Sequence, residues 1–364
     1  MRSNVLLVLH TPPPFGGGEV QAQNLKDYFS KKGNYFIYDY SRKKHSRSNW
    51  SKHFDFWAII FGIWWQIKVI FLLFYLRPRK VYFTLPKSFR AFMRNAAVIP
   101  FAKLTHTRIL GELPGTSFVF LDKGKGIRYT IGLFFLKHID EIRFLSPRIE
   151  RLHASYKFRK PVIINNGISF EGKEFVSSEV FKNPVLDLLY IGAIERSKGI
   201  FNTLEALKIC SERSILFHFH VVGYWTSSRE EEEAINYIEL NKLSNLITFY
   251  WILTGESKWD LFRKCAILVH PTYWDGVPLT ILEALAVGLP VISTNIGGIP
   301  DTIQDGINGV ILPENNPGLL SQTLITLNSN REELTKMSVN NKNLFKERYD
   351  LNIFLRNMEE WFDE

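Results

Sequence analysis

Cysteine is nearly absent from this 364-residue chain: only Cys210 and Cys265 occur, far apart and each in an apolar context. Such sparse usage excludes a disulfide framework and reads as two reduced core thiols in a cytoplasmic protein. Low-complexity tracts and short-period repeats are also missing, which excludes disordered and solenoid architectures. No Asp-x-Asp pair occurs, so no metal is expected. No zinc-finger, RNA-binding or helix-turn-helix signature appears, and the aromatic residues gather in apolar runs instead of alternating with charge. Both observations argue against a nucleic-acid partner. The N-terminal "MRSNVLLVLHTPPP" has one positive charge and too short an apolar run for a signal peptide. It reads instead as a first buried strand.

What is present is positive charge and alternating α/β pattern. The formal net charge is +9, and basic residues crowd the first half, in "RKKHSR" (42–47), "RPRK" (77–80), Lys87, Arg90 and Arg94. Such a field favours an anionic partner. Residues 54–76, "FDFWAIIFGIWWQIKVIFLLFYL", are long enough to span a bilayer. Lys68 near the middle makes spanning costly, so a helix at the lipid headgroup level and a core helix are favoured over a spanning helix. Short apolar runs at 4–9, 80–84, 107–113, 141–145 and 161–164 predict strands in a first half. A second set is predicted at 186–191, 215–222, 246–250, 266–269, 290–293 and 309–312, with helical patterns between them. The polar stretch 167–184 reads as a linker. The fold class is therefore α/β, with two Rossmann-like β/α/β domains facing across a cleft and ligands expected at the carboxyl ends of the strands.

Three segments carry chemistry. "HTPPPFGGGEVQ" places Gly16, Gly17 and Gly18 between the first strand and a helix, where backbone can approach an anion. It departs from a dinucleotide fingerprint, which needs a sixth-position glycine where Gln21 stands. "GAIERSKG" (192–199) repeats the strand–glycine–helix grammar with Lys198 at the helix start, placed either to hold a diphosphate or as a solvated loop-tip lysine. "DGVPLTILEALAVGLPVISTNIGGIPD" (275–301) puts Asp275 before a Gly-Pro loop and Glu283 on a helix expected at 279–287. Glu283 follows Leu279 and Thr280 by four and three residues, so its carboxylate leans back toward the loop amides. That arrangement suits phosphate at the amides and sugar hydroxyls at the acids. A glutamate near a helix start also has a plain explanation in the helix dipole.

The 275–301 stretch closely resembles the signature of glycosyltransferase family 4, retaining enzymes of GT-B fold, whose pattern is two glutamates separated by seven residues. "GGGE" (16–19), "IINNGI" (163–168), "GAIERSKG" and "DGINGV" (305–310) follow in the family's order. The resemblance implies a catalytic set of Asp275, Glu283 and Lys198, with Glu283 on the donor ribose, Asp275 on the donor sugar and Lys198 on the diphosphate. It further implies donor binding by Gly17, Gly18, Arg196, Gly276, Val277, Pro278, Leu279 and Thr280. The implied domains are 1–175 for the acceptor and 176–345 for the nucleotide-sugar, with a last helix, 346–364, returning to the first. Three departures stand out: Asp275 where Glu is usual, Ala193 where an arginine is common, with Arg196 as a substitute, and Pro114 where many members have a histidine. Glu112 or His106 could replace that histidine on the acceptor side. Trp251 stands where relatives have glycine and reads as a packed core residue or a wall of the base pocket.

The implied reaction is retaining transfer of a sugar from a UDP- or GDP-sugar to a hydroxyl of a lipid-linked oligosaccharide in bacterial surface polysaccharide assembly, such as O-antigen, capsule or exopolysaccharide. The nucleotide-sugar is then a substrate, and no cofactor is expected. The basic, aromatic first half would meet an anionic inner-membrane surface, making the protein cytoplasmic and peripheral. Two alternatives stay open: a GT-B nucleotide-sugar epimerase, which needs no acceptor, and a non-catalytic membrane-associated subunit.

Overall fold

A computed structural model describes residues 4–13, 16–41, 56–116, 118, 120–121, 124–170 and 174–364, with side chains in 56–61 left out of account. The basic run 42–47 lies outside these residues. The chain divides into two compact units, Met1–Asn166 with Phe354–Glu364, and Gly167–Ile353.

In the first unit the strands are β1 (Val5–Leu9), β2 (Tyr35–Asp39), β3 (Lys80–Thr84), β4 (Arg108–Glu112), β5 (Glu141–Phe144) and β6 (Pro161–Ile163). Between them run α1 (Gly17–Phe29), α2 (Phe56–Leu76), α3 (Phe89–Ala96), α4 (Ile99–Leu104), α5 (Ile127–Lys137) and α6 (Pro147–His153). The sheet order is β2-β1-β3-β4-β5-β6, and every pairing is parallel. All five residues of β1, "VLLVL", are buried, as expected of a parallel strand covered on both faces. At the sheet edge, β2 buries only Tyr38, so it lacks the continuous apolar run that marks a central strand. The apolar patterning therefore predicts no strand at 35–39.

In the second unit the strands are β7 (Leu186–Ile191), β8 (Phe217–Val222), β9 (Ile247–Tyr250), β10 (Ile267–His270), β11 (Val291–Thr294) and β12 (Gly309–Leu312). The helices are α7 (Ile200–Glu212), α8 (Ser228–Leu240), α9 (Gly255–Lys264), α10 (Leu279–Val287), α11 (Ile299–Thr302), α12 (Pro317–Ser329) and α13 (Arg331–Leu344), and the terminal helix α14 (Leu351–Asp363) starts here and runs into the first unit. The order β12-β11-β10-β7-β8-β9 puts β7 beside β10. From that junction the chain winds outward in both directions, which makes it the topological switch point.

The division between units falls at Asn166/Gly167, ahead of the expected boundary at 175/176. The supposed linker is stitched to the second unit: Leu351 donates its amide to Ile168 O at 3.0 Å and Val176 donates to Val287 O at 2.9 Å. The terminal helix joins the first unit from Phe354 onward, not from 346. It buries Phe354, Leu355, Met358, Trp361 and Phe362. The buried Lys80 ammonium meets the carbonyls of Trp361 (3.3 Å) and Phe362 (2.9 Å) at its carboxyl end, a cation placed where the helix dipole is negative.

No helix among the described residues is long and apolar enough to cross a membrane. Helix α2 has two apolar faces. Trp65, Val69, Leu72 and Leu73 are buried, whereas Ile63, Trp64, Ile67, Phe71, Phe74 and Tyr75 are exposed. The helix is thus core on one side and an uncovered apolar strip on the other.

Candidate active site

The second unit's site is built at the β7/β10 junction by backbone contact. Gly199 begins α7 with φ at +81°, and a Cβ there would lie 2.0 Å from the Pro271 carbonyl oxygen. Only glycine allows that approach at that backbone angle. The contact clasps the loop after β7 to the loop after β10, and Tyr273 N donates to Ser197 O at 2.9 Å across it. Lys198 is thereby aimed at Asp275, with Nζ 2.6 Å from Oδ2 and 3.1 Å from the Trp274 carbonyl. The other carboxylate oxygen of Asp275 accepts the Gly276 amide at 3.0 Å. Buried His270, at the end of β10, places Nε2 3.5 Å from Asp275 Oδ2, longer than a good hydrogen bond. Burial raises the Asp275 carboxyl, but His270 and Lys198 outweigh it and hold the group well below the usual carboxylate range. Asp275 is therefore an ionised acid held on both oxygens.

Helix α10 starts at Leu279, with Pro278 as its cap and no side chain capping the free amides. Gly276, Val277 and Pro278 are buried beneath this start, and Gly298 N ties the loop down through Gly276 O at 2.9 Å. The buried Thr280 hydroxyl and both ring nitrogens of His270 have no hydrogen-bond partner among the described residues. Buried polar groups left unpaired are costly, so such groups beside a helix start point to a ligand that completes them. Glu283, one turn into the helix, meets Lys258 of α9 with Nζ 3.1 Å from Oε1. Burial raises the Glu283 carboxyl above its ordinary value, and Lys258 opposes that rise. Each of the two acids thus has its own lysine, carried on a different element.

Other expected site residues fall elsewhere. Gly17 and Gly18 open α1 in the first unit and are exposed. Arg196 is committed to α8: its guanidinium pairs with Glu233 at 2.6 Å, its amide donates to Glu230 at 2.9 Å, and it stacks over Phe201. Glu112 ends β4 in the first unit, but it is buried, ion-paired with the fully buried Arg143 at 3.0 Å and hydrogen-bonded by Tyr82. Arg143 further donates to Ile164 O (3.0 Å) and Asn166 Oδ1 (2.8 Å). This carboxylate belongs to the core and is not offered to an acceptor. His106 is exposed in the turn before β4, at the amino end of a sheet whose ligands are expected at the carboxyl end. Trp251 is 73% exposed at the end of β9, near Tyr224, which rules out the packed-core reading. Lys258 and His270 were missed. His270 had a faint signal, as a polar residue closing a buried strand five residues before Asp275, whereas nothing in "GESKWDLFRK" sets Lys258 apart. Among the described residues no group of three or more His, Cys, Asp or Glu side chains could hold a metal ion.

Residues 173–344 match the family model of glycosyl transferases group 1. That segment contains every residue of the Lys198–Asp275 and Lys258–Glu283 pairs. An uncharacterized glycosyltransferase of Methanocaldococcus jannaschii is 28% identical over 226 residues, 60% of this chain and 59% of the relative. The amylovoran biosynthesis glycosyltransferase of Erwinia amylovora is 26% identical over 152 residues, 41% of this chain and 37% of that protein. The chain spans less than two thirds of the length of these curated relatives. The crystal structure of Anabaena HepE in complex with UDP aligns over 98% of this chain and 99% of its own, with a TM-score of 0.75 and 12% identity. The structural likeness shows the GT-B fold, and the family model and curated relatives that the chain resembles are glycosyltransferases.

Proposed function

We propose that the protein is a retaining glycosyltransferase that moves a sugar from a UDP- or GDP-sugar to a hydroxyl of a lipid-linked glycan during bacterial surface polysaccharide assembly. The observation that carries this reading is the pair of lysine-held acids on either side of the uncapped α10 start, with Lys198–Asp275 at 2.6 Å and Lys258–Glu283 at 3.1 Å. A nucleoside diphosphate-sugar matches these groups. Its ribose diol suits Glu283, its diphosphate suits Lys198 and the amides from Gly276 to Thr280, and its sugar hydroxyls suit Asp275. The UDP bound by HepE, of the same fold, is in keeping with such a donor.

In the reaction the bond from the anomeric carbon to the β-phosphate oxygen breaks, and a bond to the acceptor oxygen forms on the same face. The acceptor proton passes to the departing phosphate oxygen. Negative charge grows on that phosphate, and Lys198 is the side chain placed to neutralise it, moving off Asp275 as it does so. Asp275 is then free to accept from the sugar. The departing phosphate takes the proton itself, so the burial of Glu112 and the remote place of His106 leave the scheme intact.

The acceptor's lipid links this reading to the exposed face of α2. Six large apolar side chains on one helical strip, with Lys68 beside Trp64 (5.1 Å) and Tyr38 (5.3 Å), suit a helix lying in the headgroup layer of an anionic membrane. A donor screen reading nucleotide release, run with Lys198→Ala and Glu283→Ala, tests the proposal. Release should need an acceptor and should fall at least about 100-fold in Lys198→Ala, as loss of a charge-stabilising donor does, and should fall in Glu283→Ala through weaker hold on the ribose. Wild-type rates in both variants would refute the site. Conversion of donor without acceptor would make the enzyme an epimerase.

A further inference from the structure

The first unit holds a cavity that the donor chemistry does not use. It has a volume of about 810 Å³ and lies where α3 and α5 begin, within the size range of small-molecule sites. Its floor is aromatic: Phe120 and Phe89 meet edge to face at 5.6 Å, above Phe92 and Phe118. Phe120 sits close against Gly132 of α5, where a Cβ would come within 2.2 Å of the ring. Its rim is cationic. Arg90, Lys125 and Arg128 converge on the opening, Arg128 lying 5.9 Å over the Phe89 ring. Among the described residues none of the three forms an ion pair and no acid lines the cavity.

The same opening receives the first turns of both helices. Ser88 and Gly126 are their caps, neither gives a side-chain cap, and neither first turn contains an acidic residue. Three cations without an acidic partner among the described residues, and two uncapped helix starts, repel each other around one space unless an anion joins them. A free inorganic anion would leave the aromatic floor and exposed Ile127 unexplained, and a plain apolar ligand would leave the cations unexplained. An amphiphile with a phosphate head and an apolar chain satisfies both.

We propose that this cavity binds the phosphate head of the lipid carrier on the acceptor, with Arg90, Lys125 and Arg128 on the phosphates and the first isoprenoid or acyl segment over Phe89 and Phe120. This rests on the lipid-linked acceptor of the proposed function and assigns that acceptor its anchor site. The probe is farnesyl diphosphate, titrated into the full chain by calorimetry in excess UDP, so that a diphosphate site at Lys198 is already filled. Inorganic pyrophosphate and phosphatidylglycerol vesicles serve as parallel arms. Saturable binding is expected, at least about tenfold tighter than pyrophosphate and weakened at least about tenfold by the double variant Arg90→Gln/Arg128→Gln. UDP affinity should be the same in that variant, which also reports that the chain is folded. The proposal is overturned by any of three results: no saturable farnesyl diphosphate binding, equal binding in the double variant, or pyrophosphate binding as tightly as the probe. Binding to vesicles alone overturns it in favour of a bilayer contact. Failure of UDP to bind the wild-type chain would instead count against the donor site and leave the farnesyl diphosphate result to decide this cavity separately.

Discussion

Replacing Lys258 by methionine keeps the bulk of the side chain over Trp259 and removes one charge, leaving Glu283 without its partner. The magnitude follows from the burial of the pair, in which the side chains are 21% and 19% exposed at a separation of 3.1 Å. Breaking a fully buried ion pair costs about 3–5 kcal/mol. Residual solvent access reduces this, and we take about 2 kcal/mol, a factor of roughly 30 in an equilibrium constant. The glutamate avoids part of the cost by protonating. Burial already raises its carboxyl and Lys258 opposes that rise, so removing the lysine moves it further in the same direction.

The sign of the pH dependence is then determined. A ribose diol is held by the ionised acid, so UDP affinity falls as pH drops through the Glu283 titration. In Lys258→Met that limb moves to higher pH, and affinity near neutrality falls by about tenfold or more. Stability responds in the opposite sense. A carboxyl raised by folding costs least where it is protonated, so the stability gap between variant and wild type is widest at neutral pH and narrows on acidification. Calorimetric UDP titrations across pH, with urea melts at the same pH values, measure both. Lys258→Arg should recover the wild-type limb. A uniform loss of affinity with an unmoved limb would mean that Lys258 acts only through packing, and the reasoning would fail.

Three further outcomes follow from single contacts. Gly199→Ala forces a left-handed alanine against the Pro271 carbonyl; it should cost at least about 1–2 kcal/mol in urea melts and weaken UDP binding, and an unchanged midpoint would refute the backbone clasp. Arg143→Met strands the buried Glu112 carboxylate and should destabilise the fold by about 3–5 kcal/mol, whereas a loss of acceptor turnover without loss of stability would return Glu112 to the acceptor side. Burial pushes the Cys210 thiol up to about 11 and Cys265 well above its ordinary value; a thiol reagent should find both groups inert in the folded chain and react with two per chain after denaturation.

Legibility along this chain tracked the range of the interaction concerned. Central parallel strands are buried on both faces and announce themselves as runs such as "VLLVL", whereas edge strand β2 is half-solvated and carries no such mark. Helix α10 ran over the expected residues because its start and stop are local, with Pro278 before it and Gly288 at φ +81° after it. The spacing of Asp275 and Glu283 was equally local. What each acid pairs with was not, since Lys198 lies 77 residues away and Lys258 lies 25 residues away on another helix. Arg143 belongs to the same class: a carboxylate at a strand's carboxyl end looks available until a neighbouring strand delivers a buried guanidinium to it. Two misplacements were avoidable by direction alone. His106 precedes β4 and so had to lie at the amino edge, whereas Trp251 follows β9 and so had to lie at the carboxyl edge, where the loop leaves it in solvent. For His106 and Trp251, therefore, the end of the strand on which a residue falls decides its surroundings, and Glu112 adds that a carboxyl-end residue is available only where no neighbouring strand pairs it. That rule also explains why the candidate site formed where it did. Lys198 follows β7 and Asp275 follows β10, and these neighbouring strands are where the winding of the sheet reverses.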